Sequence, residues 1–307
     1  MPGTPDHSTV PLSRLYALRT FFNSGATRPY AARRNALKAL KHALHKHEEA
    51  LLTAMHTDMR KARFEAYMAD IGLVYGEIDH ALRNLRDWMR PEHVPTPLTL
   101  WPASSSIHPQ PLGVVLIIAP WNYPALLVLS PLVGAIAAGN CAVVKPSEET
   151  PQTAEVLEKI IAEAFPKEHV TMVQGPGATV IPPMMEAFRF DHAFFTGSPA
   201  VGRKILAMAA AQLVPATLEL GGKSPAIVDR SADVNLAAKR IAWSKFLNAG
   251  QTCIATDYAL VHRCDGAIPG GIHQTHYPFL RRRPTALTGF CPPGEHQTLQ
   301  PGEGLHR

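Results

Sequence analysis

Five short segments carry residue types that could do chemistry. Cys253 ends NAGQTC, residues 248–253. A thiol reacts as its thiolate and needs a donor for the oxyanion that its attack creates. The apolar turn PWNYP, 120–124, offers Asn122, an uncharged amide that can stabilise an oxyanion but cannot act as a base. In ELGGKSP, 219–225, a strand ends on Glu219 before two glycines, which let backbone approach a ligand. Glu219 is a candidate general base where dry surroundings raise its pKa. In KPSEETP, 145–151, Lys145 and Glu148 follow a strand where a nucleotide's ribose and phosphates could sit. FFTGSPAVG, 194–202, runs from a strand through Gly197 and Ser198 into a helix that Gly202 lets pack closely, and backbone N–H groups at such a helix start favour a pyrophosphate.

Each segment also has a plain structural reading. A lone Cys253 is a buried, inert thiol, and a lone Glu219 is a solvated strand end. KPSEETP reads equally as a charged loop with Ser147 or Thr150 as the N-cap of a helix that starts at Pro151. Gly197 to Gly202 has Walker spacing, but Arg203 and Lys204 stand where Lys and Ser or Thr would be required, which argues against an NTPase. The G-x-G-x-x-G dinucleotide fingerprint is absent as well. A cysteine hydrolase would need a His base paired with Cys253.

The elements that must position these residues follow from periodicity. Residues 9–90 read as helices, with apolar side chains three and four apart over 30–59 and 65–89, where His42, His45 and His47 read as exposed surface. A Pro- and Ser-rich stretch, 91–106, reads as an extended excursion. Strands at 113–119 and 141–145 enclose a turn and an apolar helix over 125–138, a βαβ unit buried on both faces. Helices at 153–165, 178–187, 200–212 and 235–247 then alternate with strands at 170–174, 191–196, 216–220 and 225–228. This alternation predicts an α/β fold, a Rossmann-like open, mostly parallel sheet with helices on both faces and its ligand site beyond the carboxyl ends of the strands.

Composition narrows the class. The 307 residues are 46% hydrophobic, sufficient for a large core, and the net charge of +5 is spread among interspersed acids and bases, which reads as solvated faces rather than a nucleic-acid footprint. The cysteines at 141, 253, 264 and 291 lack CxxC spacing, so neither a disulfide framework nor a metal site is expected. Residues 109–144 carry no acid or base, yet proline, glycine and Asn122 and Asn140 punctuate them, so no integral membrane segment is expected. The first ten residues lack signal-peptide character, and a cytoplasmic location is the expectation.

Taken jointly and in this order, GVVLIIAPWNYP, AIAAGN, VVKPSE, FFTGS, LELGGKSP and NAGQTC resemble the aldehyde dehydrogenase superfamily, most closely its class 3-like branch, over roughly residues 10–263. The resemblance implies NAD or NADP as cofactor and a small-molecule aldehyde as substrate. It implies Cys253 as nucleophile, Asn122 as oxyanion donor, Glu219 as the base that activates water, and cofactor contacts from Trp121, Lys145, Glu148, Gly197, Ser198 and Gly202. It further implies an NAD(P)-binding domain with N-terminal helices over 1–218, in which 92–110 is an excursion of the oligomerisation type, and the beginning of an incomplete second α/β catalytic domain over 219–263. Thr256 departs from the pattern, since relatives usually carry Pro there.

The resemblance stops after YALVHR, 258–263. The stretch 264–307 has no Lys, is rich in Pro, Gly, His and Arg, and lacks periodicity, so it reads as a disordered tail outside the family, as a reading-frame shift near codon 263 would produce. The family's second carboxylate motif and its homodimer strands would follow that point. A catalytic domain without them predicts impaired turnover, because misplacement by about 1 Å costs on the order of a hundredfold. A non-catalytic, cofactor-binding remnant is the alternative.

Overall fold

The computed structural model describes residues 11–262, which divide into two compact units after Gly222. The stretch read above as a tail, 264–307, and the first ten residues lie outside the described residues.

The first unit begins with helices α1 (Leu12–Asn23), α2 (Tyr30–Lys46), α3 (Glu48–Met59) and the single turn α4 (Arg63–Ala66). A π-helical turn, Tyr67–Ile71, then runs into α5 (Gly72–Trp88). The 30–59 periodicity is thus split at His47, whose ring bonds Glu163, while Glu48 and Glu49 start a new helix with acids in its first turn, where they complement the dipole. His42 and His45 are exposed and His47 is half-buried. The excursion forms an antiparallel pair of its own, β1 (Glu92–Val94) with β2 (Ser105–Ile107).

Five parallel strands follow: β3 (Val114–Ile118), β4 (Cys141–Lys145), β5 (Val170–Met172), β6 (His192–Gly197) and β7 (Ala216–Leu220), in the spatial order β5-β4-β3-β6-β7. The crossovers are α6 (Leu126–Ala138), α7 (Pro151–Ala164), α8 (Gly177–Ala187) and α9 (Pro199–Ala211). β3 and β4 are buried along their whole length, as near-continuous apolar runs in a parallel sheet require. Alternation divides the core: Val115 and Ile117 belong to the cluster with α6 and α7, on which α2, α3 and α5 pack in turn, whereas Val114, Leu116 and Ile118 belong to the cluster with α1, α8 and α9. The 13-residue α6 spans about 20 Å, short of the ~30 Å of a bilayer core. No helix among the described residues is long and apolar enough to cross a membrane.

The second unit, described over 223–262, contains β8 (Pro225–Val228), α10 (Val234–Phe246) and β9 (Tyr258–Val261). The strand expected at 225–228 forms, but it pairs in parallel with β9 as a separate two-stranded sheet.

Candidate functional site

The chain fills the sheet outward from β3 in one direction through β4 and β5, then returns to fill the other side through β6 and β7. This reversal makes a crevice between β3 and β6 at the carboxyl ends of the strands, the place where such sheets bind ligands. Register brings the first unit's candidate residues to that edge. Ile118 pairs with Lys145 on one side and Phe195 on the other, and Thr196 pairs with Glu219. The turn bearing Trp121 and Asn122 leaves β3 at the same edge, with both side chains half-buried.

At the end of β4 the Lys145 side chain is only 2% exposed. Its Nζ donates to the Pro146 carbonyl at 2.9 Å and to Glu148 Oε2, while Glu148 Oε1 accepts the Gly177 N–H at 2.8 Å. Burial raises the Glu148 pKa, but the bonds from Lys145 and from the Gly177 backbone outweigh it and hold the carboxyl below the usual carboxylate range. A depression of about 200 Å³ adjoins the cluster, lined by Pro146, Ser147, Glu148, Pro151, Gln174 and Gly175 among others. Gly177 joins the cluster although the sequence reading passed over it. The signal was QGPG, residues 174–177, where Gly175 adopts a φ of 110°.

The loop's helix-start reading is half right. Thr150 is at the N-cap position of α7 and Pro151 is its first residue, yet the Thr150 hydroxyl makes no capping bond. Ser147 Oγ accepts instead from the Glu149 N–H at 3.2 Å. Asp58 of α3 does the capping: Oδ2 accepts the Thr153 N–H and the Thr153 hydroxyl, each at 2.8 Å, and Oδ1 accepts the Gln152 N–H at 3.2 Å. A carboxylate at this end of α7 also complements the helix dipole.

The turn after β3 is tied to two more residues that the sequence reading missed. Asp70, in the π-helical turn, accepts the Leu126 N–H through Oδ1 at 2.7 Å and the Lys61 ammonium through Oδ2 at 2.7 Å. Lys61 Nζ also lies 4.4 Å from the centre of the Tyr123 ring. Burial pushes the Asp70 pKa up, against the pull of Lys61 and of the Leu126 and Ala125 backbone.

On the other side of the crevice Ser198 caps α9, its Oγ accepting the Val201 N–H at 3.3 Å. A Cβ on Gly197 would meet the buried Phe195 ring at 2.6 Å, so packing demands a glycine there, whereas one on Gly202 would meet at 2.8 Å only the tip of the exposed Leu220 side chain, which can move aside. Glu219 is exposed near the end of β7.

Cys253 belongs to the second unit and is exposed. The turn before it is irregular: Asn248, Ala249 and Gly250 take φ values of 53°, 54° and 81°. For an alanine this region is strained. The turn is held by the side chains of Asn248 and Gln251, each donating to the other's carbonyl, at 3.3 and 3.2 Å. Thr256, the departure from the family pattern, donates to Ser244 Oγ at 3.3 Å. Among the described residues no group of three or more His, Cys, Asp or Glu could hold a metal ion.

A family model described as "Aldehyde dehydrogenase family" matches residues 17–264. The chain is 45% identical over 249 residues to 4,4'-diaponeurosporen-aldehyde dehydrogenase of Staphylococcus aureus, covering 81% of this chain and 54% of that protein. It is 45% identical over 251 residues to human aldehyde dehydrogenase family 3 member B1, covering 80% and 52%. Among solved structures, the substrate-bound state of Staphylococcus aureus AldH superposes with a TM-score of 0.79 at 44% identity, over 81% of this chain and 54% of that one. PnpE in complex with nicotinamide adenine dinucleotide superposes with a TM-score of 0.72 at 29% identity, over 81% and 51%. The chain thus spans about half the length of the curated relatives it matches.

Proposed function

We propose a function for this chain on the premise that it belongs to the aldehyde dehydrogenase family: its residues serve the NAD(P)-dependent oxidation of an aldehyde to a carboxylic acid. The observation that carries the reading is the Lys145–Glu148–Gly177 cluster, set at the carboxyl edge of the sheet beside the β3/β6 crevice. A half-exposed carboxylate, a buried ammonium and a helix N-terminus form a donor and acceptor set that suits ribose hydroxyls and phosphate, and an open depression adjoins them. The residues therefore fit a dinucleotide, with Trp121, Gly197, Ser198 and Gly202 as further contacts. When bound, the nicotinamide supplies the acceptor for the aldehyde hydride.

The chain's own residues would then work in sequence. The Cys253 thiolate attacks the carbonyl carbon, and the amide of Asn122 donates to the resulting oxyanion. Loss of the hydride leaves a thioester on Cys253. Glu219 takes a proton from water, the water oxygen attacks the thioester carbon, and the acid departs as the C–S bond breaks and the thiolate returns. The domain limits at 218 and 263, a choice between NAD and NADP, and a cytoplasmic setting belong to the same proposal.

A second reading, cofactor binding without turnover, is favoured by the second unit's surface. Ile227, Trp243, Phe246, Ile254 and Leu260 are each more than half exposed, and a two-stranded sheet by itself gives little support to the turn that carries Cys253. The test is reduction of NAD or NADP by the purified chain with aromatic and aliphatic aldehydes, beside a Cys253→Ala control and a direct cofactor titration. Turnover that disappears in the control supports oxidation. Cofactor binding without turnover supports the second reading, and neither binding nor turnover refutes both.

A further inference from the structure

α6 begins three residues after Tyr123 and lacks a cap of its own, because Ala125 at its N-cap position has no side-chain acceptor. Asn is among the strongest N-cap residues and stands nearby in the turn. The acceptor for the Leu126 N–H is nonetheless Asp70, 56 residues earlier in the chain. Contacts from this one source grip the residues that follow Asn122. Asp70 accepts from the backbone of Leu126 and Ala125, and Lys61, bonded to the same carboxyl group, covers the ring of Tyr123.

The ion pair itself is a weak source of stability, whatever the Asp70 cap on Leu126 adds. The side chains are 2% and 0% exposed, and an apolar pair of like volume would serve the core as well or better than two desolvated charges. Asp70 also sits in a π-helical turn, an irregularity that recurs at functional sites. We propose that Lys61 and Asp70 are positioning residues that clamp the 121–126 turn and thereby fix the Asn122 amide for the oxyanion. The pair acts through the turn and not on the reacting atoms, and its catalytic meaning rests on the role proposed above for Asn122.

The test replaces the pair with apolar residues, Lys61→Met together with Asp70→Leu, which leaves no unpaired charge. The expected result is an unfolding free energy lowered by no more than about 1 kcal/mol, the cost of the lost cap on the Leu126 N–H, with hydrogen exchange at the Ala125 and Leu126 amides faster by at least about tenfold and β4 unchanged. For aldehyde oxidation, kcat falls by about a hundredfold with KM unchanged. A purely structural role predicts instead that a stable double variant keeps parental exchange and parental kcat, and that result overturns the proposal. Should the double variant not fold, Asp70→Asn is read by the same two measurements. Failure of the underlying reading shows separately: Asn122→Ala then oxidises aldehyde as fast as the parent, or neither does, and exchange at residues 125 and 126 alone decides whether the clamp exists.

Discussion

Removing the Asp58 carboxylate tests whether α7, and with it the loop that carries Glu148, depends on a cap from another helix. Asp58→Ala deletes acceptors for the Gln152 and Thr153 N–H groups and for the Thr153 hydroxyl. The lost cap costs about 1 kcal/mol, and the lost charge at the helix N-terminus about 0.5 kcal/mol more. Thr153 is fully buried, so its stranded hydroxyl adds about 1 kcal/mol or more. The sum, about 2.5–3 kcal/mol, lowers Tm by roughly 5–12 °C for a domain of this size. Urea unfolding of the parent, Asp58→Ala and Asp58→Ala with Thr153→Val separates the contributions. The added Thr153→Val removes the stranded hydroxyl and should recover about 1 kcal/mol. A loss below about 1 kcal/mol for Asp58→Ala, or no recovery in the double variant, would refute this assignment of the cap.

Two further outcomes are expected. His169 lies between Phe21 and Phe165, and burial pulls its pKa from 6.5 down to about 4. The unfolded chain binds a proton near pH 6.5 that the folded chain refuses until about pH 4, so stability falls by about 3 kcal/mol as pH drops through that window. His169→Phe should flatten this part of the pH–stability curve and leave the slope above pH 7 as it was, as urea titrations at stepped pH will show. Glu148→Gln leaves the Lys145 ammonium without its carboxylate partner and weakens the ribose acceptor, so calorimetric titration with NAD should give a Kd raised about 10- to 100-fold. An unchanged Kd would remove Glu148 from the cofactor site.

Local signals carried well from sequence to structure. The apolar runs at 113–119 and 141–144 became the buried strands β3 and β4, and Pro151 starts α7 because a missing N–H costs nothing at a first helical position. The alternation of strands and helices gave the parallel sheet, and its carboxyl edge gathers the polar residues of four separate motifs. What was not legible is long-range. Nothing near Leu126 or Thr153 indicates that Asp70 and Asp58 cap them, since those carboxylates lie tens of residues away. The π-helical turn interrupts an ordinary helical period without changing residue type, and β8 pairs with β9 through a register that no local pattern encodes. The positive φ of Ala249 is equally silent, because alanine does not advertise that conformation.

The pattern of caps changes what the N-terminal helices are for. α9 and α10 are capped locally, by Ser198 and Asp233. α6 and α7, which start from the turn bearing Asn122 and the loop bearing Glu148, are capped by Asp70 and Asp58 from the helical layer before the sheet. That layer packs Leu40, Leu44, Leu51, Met55, Ile78 and Leu85 over α6 and α7, the helices that lie on the sheet, and apolar side chains alone would suffice for this. A buried hydrophobic contact is non-directional, however, and leaves the start of a helix loosely specified, whereas a carboxyl group that accepts two or three bonds defines where the first turn sits. The helical layer therefore sets the position of two loops at the candidate site while it fills the core. Substitutions at Asp58, Lys61 and Asp70 should accordingly disturb cofactor and aldehyde chemistry more than equal losses of stability from Leu40 or Leu44, and that comparison at matched stability distinguishes a scaffold for the site from a cover for α6 and α7.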